Sequence, residues 1–218
     1  DRPFHVGSIL YPPGRMKTSE LKTFLDEKVE QYQQPAFLEN DPVQIPHGFR
    51  RKEDIEVSGL LTATIAWGNR KSILKSARQM MSLLDGEPYE FCMEASSQEL
   101  RGLRHFKHRT FNGTDFKCFV LGLRRLCQVH GGLEGCFTHY AEKGDMAEAI
   151  SSVRELFFSR PHPPRSEKHF SNPARGSAAK RLNMFLRWMV RSPENGVDFG
   201  LWKGITPAQL SCPLDVHS

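Results

Sequence analysis

No stretch of this chain alternates apolar and polar residues for the length of a strand, whereas segment after segment repeats its apolar residues every three or four positions. A chain patterned this way must bury helix faces against one another, so the expected fold is all-α with few strands. TSELKTFLDEKVEQYQQ sets Leu21, Phe24, Leu25 and Val29 on one face, with Thr18 or Ser19 placed to cap it. The proline-bearing NDPVQIPHGF reads as a connector. KEDIEVSGLLTATIAWG reads as a buried helix whose first-turn acids complement the helix dipole and which stops at Gly68. NRKSILKSARQMMSLLD turns Ile73, Leu74, Ala77 and Met81 inward and ends at Asp85-Gly86. Shorter helices are expected over 88–95 and 98–106, and GTDFKCFVLGLRRLCQVHG and DMAEAISSVRELFFS supply longer ones. In GSAAKRLNMFLRWMVR, Leu182, Phe185, Leu186 and Met189 form an apolar face, with Lys180, Arg187 and Arg191 roughly opposite. The expected organisation is a helical domain over 16–218, read as two lobes whose loops face a cleft, preceded over 1–15 by a loose tail or a non-native leader.

The net charge is +5 and is unevenly spread. Arg154 to Arg191 holds nine Lys or Arg against two acids, and Arg101 to His130 seven against one, so the remainder of the chain is acidic. Two concentrated basic segments point to a polyanion surface, of which nucleic acid is the commonest, and double-stranded DNA is the expected partner. The alternative is two solvated helix faces. No apolar run approaches the roughly 18 residues that span a bilayer, so no membrane partner is expected. The five cysteines are odd in number, scattered and without a C-x-x-C pair or a secretion signal before them, which fits a reduced cytoplasm and buried thiols. No zinc or iron–sulfur site, and no cofactor, is expected from them. His162 and His169 flank a proline-rich loop, a weak metal-binding pattern.

Certain motifs resemble a known superfamily. GSAAKRLNMFL is similar to the hairpin and second helix of the helix-hairpin-helix DNA glycosylases, the superfamily of endonuclease III and 8-oxoguanine DNA glycosylase, whose G-x-G-x-K turn carries a nucleophilic lysine. Gly176 and Lys180 match the first glycine and the lysine, Ala178 replaces the second glycine, and Asn183 falls where endonuclease III also has an asparagine. PLDVH resembles the superfamily's V-D-T-H element, which makes Asp215 the matching aspartate. GLLTATIAWGNRKSILKSA is similar to the helix–turn–helix that opens the glycosylase domain, with Asn69 near a DNA-contacting position. Together with FKHRTFNGTDF and VDFGLWKGITPAQL, these motifs resemble a bacterial family, common in Bacteroidetes, distantly related to those glycosylases. The family continues into further helices after the aspartate, whereas this sequence stops three residues past it: either it is a piece of a longer chain or the helix that should follow Asp215 is missing.

What the resemblance implies is a DNA N-glycosylase, with or without abasic-site lyase activity, acting on a flipped base through Lys180 and Asp215. A lysine amine is nucleophilic only when neutral, and an ionised carboxylate stabilises the positive charge that develops on the sugar. DNA contacts are expected from Gly176, Ser177 and Ala178 at the hairpin, from Asn69 and Arg70, and from Arg187. His108 and Arg109 are placed to reach a phosphate or base edge, or else Arg109 pins helices together. Trp67, Phe185 and Trp188 are candidates for base stacking, with a core position the alternative for each. From other classes come two competing readings: a non-catalytic DNA- or RNA-binding helical module of the same fold, and a helical interaction protein.

Overall fold

A computed structural model describes residues 17–213, and within them the regular structure is helical apart from one two-stranded ribbon. Helix α1 (Thr18–Tyr32) starts where the Glu20 carboxylate accepts the Lys17 backbone N–H at 2.9 Å. Thr18 and Ser19, expected as caps, are instead inside the first turn, where the Ser19 carbonyl accepts the Thr23 hydroxyl. The apolar residues of α1 share a face, but no residue of the helix is buried, and Leu25 is 51% exposed. Three short 3-10 turns follow at Pro35–Asn40, Pro42–Gln44 and Pro46–Gly48. Each opens on a proline, whose fixed φ suits the first helical position and whose missing N–H costs nothing there.

Helix α2 (Lys52–Ile65) is buried continuously from Asp54 to Ile65, so it must be covered on all sides. Helices α3 (Arg70–Leu83) and α4 (Pro88–Glu94) pack on it, and α5 (Ser97–Gly102) runs into a further 3-10 turn at Leu103–His105. Strands β1 (Lys107–His108) and β2 (Phe111–Asn112) pair antiparallel across the two-residue turn Arg109-Thr110. Asn112 then caps α6 (Gly113–Gln128) with a reciprocal bond from Asp115. Helices α7 (Leu133–Ala141) and α8 (Met146–Phe157) form an adjacent pair, and α8 also packs on α6. After 3-10 turns at Pro164–His169 and Pro173–Arg175, α9 (Lys180–Val190) lies along α2.

The α2–α9 contact is close because Gly59 faces it: a Cβ there would stand 3.3 Å from both the Phe185 ring and the Met189 methyl. Leu182, Phe185, Leu186 and Met189 are all buried, as their spacing predicts. Trp188 is buried too, at 1% exposure, and with Phe185 belongs to the core rather than to a stacking surface. Buried side chains from Val43 to Ile205 form one contiguous cluster, so the two lobes expected from the sequence share a single core. Among the described residues, no helix is long and apolar enough to cross a membrane.

Candidate nucleic-acid interface

The chain reaches α9 through a tightly bonded hairpin. Asn172 accepts the Ala174 N–H on its side chain at 3.1 Å and the Ser177 N–H on its carbonyl at 3.3 Å. Gly176 between them is left-handed, at φ 79°. A Cβ at Gly176 would meet nothing within 4 Å, so glycine serves the dihedral there rather than the space. The second left-handed residue is Ala179, at φ 46°, not Ala178, the position aligned in sequence with the second hairpin glycine. Ala179 is buried, donates its N–H to the Ser177 hydroxyl at 3.2 Å, and serves as an N-cap without a side chain able to accept. Asn183 braces the turn from below: its amide donates to the Ala178 carbonyl at 3.2 Å and the Ala179 carbonyl at 3.3 Å. Lys180 is therefore the first residue of α9, half-buried, and the first turn of that helix has no side-chain cap.

Arg181 ties this hairpin to the loop behind α2. Its guanidinium donates to the Thr64 carbonyl and lies 4.7 Å over the Trp67 ring. Trp67 is half-buried at the centre of a cluster, with His169 stacked on it at 5.8 Å and His108 edge-on at 5.2 Å. His108 does not reach outward as the sequence allowed. It is 2% exposed, its Nδ1 pairs with the Ser76 hydroxyl at 2.9 Å, and its Nε2 is 3.4 Å from the Trp67 carbonyl. Burial pushes its imidazole below the ordinary pKa, so it clamps β1 to α3 as a neutral ring. Arg109 is exposed at the tip of the ribbon, at φ 53°, with its guanidinium folded over Gly68; a Cβ at Gly68 would come within 2.6 Å of Nη1. Asn69 is exposed and caps α3, accepting the Ser72 N–H at 3.3 Å, and Arg70 is exposed beside it.

Beyond His169 lies a buried carboxylate that no sequence motif singles out. Asp115 has no exposed surface and gathers the Ser166 hydroxyl at 2.8 Å, Arg165 at 3.2 Å, His169 at 3.4 Å and the Asn112 N–H at 3.0 Å. Three of those partners come from a segment about 50 residues away, beyond the reach of any local pattern. The His162/His169 pair holds no metal-like arrangement. His162 pairs with Glu167 at 3.2 Å, and no group of three ligating side chains fit for a metal exists among the described residues.

The basic face expected on α9 divides. Arg187 pairs with the buried Asp198 at 3.1 Å, and Arg191 approaches the same carboxylate at 3.8 Å, so both serve to fasten the 197–199 segment. Arg124 and Arg154 likewise donate to the carbonyls of Ala95 and Phe170, so part of the basic excess is used inside the fold. What the structure brings together is the Gly176–Arg181 hairpin, the Trp67–Arg70 loop and the Arg109 turn. Asp215 lies outside the described residues.

Residues 41–218 match the model of a family described as "Protein of unknown function (DUF2400)". No curated protein and no solved structure matches the chain.

Proposed function

We propose that this chain, which belongs to the DUF2400 family, is a DNA N-glycosylase with abasic-site lyase activity, Lys180 being its nucleophile. The observation that carries this reading is the convergence of three sequence-distant segments at the start of α9. The hairpin that ends in Lys180 is tied through Arg181 to the Trp67 loop, and the Arg109 guanidinium covers the glycine next in that loop. Trp67 stands half-buried beside the hairpin, where an extruded base would have to displace Arg181 or His169 to stack on it, and the uncapped N–H groups of α9 suit a phosphate. In the reaction, the Lys180 nitrogen forms a bond to the sugar C1′ as the N-glycosidic bond breaks, and the base leaves with the bonding pair and a proton. Opening of the sugar gives a Schiff base, from which β-elimination cuts the strand. Asp215 is the carboxylate that the resemblance to the glycosylases implies for the positive charge on the sugar.

Borohydride reduction of the Schiff base on abasic duplex DNA tests this directly. Wild type should become covalently trapped, and Lys180→Gln should not, while its DNA affinity stays nearly unchanged because only one cation among many is removed. Should a wild-type chain extended beyond residue 218 also fail to trap, or Lys180→Gln trap as well as wild type, the nucleophile is misassigned. Salt-sensitive DNA binding without trapping would then favour the non-catalytic binding module.

A further inference from the structure

Beside the hairpin, a cleft of about 440 Å³ opens between α8, the 164–169 turn and the approach to Gly176. Its inner wall is built rather than incidental. Arg154, with a side chain only 11% exposed, donates to Glu167 at 2.5 Å and to the Phe170 carbonyl at 3.1 Å, and its guanidinium lies 5.1 Å over the Phe158 ring. Glu167, the one acid lining the cleft, is neutralised by that contact, and the His162 ring stands 3.2 Å from its other oxygen. On the rim, Lys168 and Arg175 are exposed, and neither has an ion pair among the described residues. Asn172 uses its side-chain oxygen on the Ala174 N–H, which leaves its NH₂ directed elsewhere, and Ser177 accepts from Ala179, which leaves its own O–H as a donor. The cleft thus presents two unneutralised cations and neutral donors, with no unneutralised carboxylate. That set suits a group with several anionic oxygens and no donors of its own, which is a phosphate.

We propose that this cleft binds a phosphodiester of the DNA strand next to the nucleotide engaged at Lys180, with Lys168 and Arg175 as its charged contacts. The proposal rests on the DNA reading above. Its geometric basis is adjacency: Ser177 lines the cleft and stands three residues before Lys180 in the same hairpin. A strand whose backbone crosses the cleft therefore passes the start of α9.

The test is the salt dependence of duplex binding, read by fluorescence anisotropy. Lys168→Ala/Arg175→Ala should bind about tenfold more weakly at low salt, and its log–log salt slope should shrink by roughly 0.9, the change expected when one phosphate is no longer neutralised. Both side chains lie on the surface, and the charge-keeping Lys168→Arg/Arg175→Lys should recover most of the affinity. Lys22→Ala/Lys28→Ala removes the same charge from α1 and should change the slope little. A reduction in affinity and slope no larger than that of the α1 variant overturns the proposal. Inorganic phosphate should compete with DNA for the wild type. If it binds the wild type and not the double variant while the DNA slope is unchanged, the cleft takes free phosphate and the strand assignment is overturned. Absence of borohydride trapping, in the chain extended beyond residue 218 as well, together with the predicted slope change would remove the enzymatic reading and leave this cleft standing. Trapping with an unaltered slope would do the reverse.

Discussion

Glu56 sits in the continuously buried stretch of α2 at 4% exposure, and its charge state decides how tightly the 200–204 segment is held. Its Oε1 accepts the Trp202 indole N–H at 2.6 Å, and the Lys52 ammonium stands 4.0 Å away. Glu53, Glu134, Cys127 and Cys136 complete its titratable surroundings. Loss of hydration outweighs the two favourable contacts and lifts the carboxyl from its ordinary 4.5 to about 7. Between those values the folded chain keeps a proton that the unfolded chain has released. The native state binds more protons there, so stability falls as pH rises, and above about 7 the full penalty stands, at about 3 kcal/mol. Glu56→Gln keeps an oxygen for Trp202 and removes the charge. Its stability advantage over wild type, from urea unfolding followed by circular dichroism, should therefore grow by about 2.5 kcal/mol between roughly pH 5 and pH 8. The difference curve is the right observable because His108 and His169, held below their ordinary pKa by burial, drive stability upward with pH through the same window and cancel on subtraction. A flat difference, or one that widens toward acid, would refute the claim that desolvation dominates at Glu56.

Two further substitutions probe the packing around the proposed interface. Asp115→Ala removes the acceptor shared by Ser166, Arg165 and the Asn112 N–H, and should cost about 3 kcal/mol in urea unfolding, discounted because Arg165 is 45% exposed. A cost under about 1 kcal/mol would mean that water satisfies those donors. Gly122→Ala places a methyl 2.4 Å from the Phe157 ring, well inside contact distance, and should destabilise α6 against α8 by about 1–3 kcal/mol. An unchanged unfolding midpoint would show that Phe157 has room to move.

What is legible in the sequence follows from where the determining forces act. Helices α2, α3, α6, α8 and α9 have periodic apolar residues and local stop or cap signals, and each appears within a few residues of its expected span. Helix α7 carries no such signal: LEGCFTHYA follows a glycine pair and mixes small, aromatic and polar residues, so only its packing on α8 marks it. Residue types locate the hairpin before Lys180 but do not set its geometry. An alanine in the left-handed region costs about 1–2 kcal/mol, and local preference alone would place the turn elsewhere. Ala179 stays there because three tertiary or near-local contacts act on it together: the Asn183 amide on its carbonyl, the Ser177 hydroxyl on its N–H, and burial of its methyl. The same holds for Trp67, whose partners His108, His169 and Arg181 come from three other segments. Candidate chemistry can be read one residue at a time. The direction in which Lys180 leaves the hairpin cannot, because the core beneath Ala179 sets it rather than any preference of the turn itself.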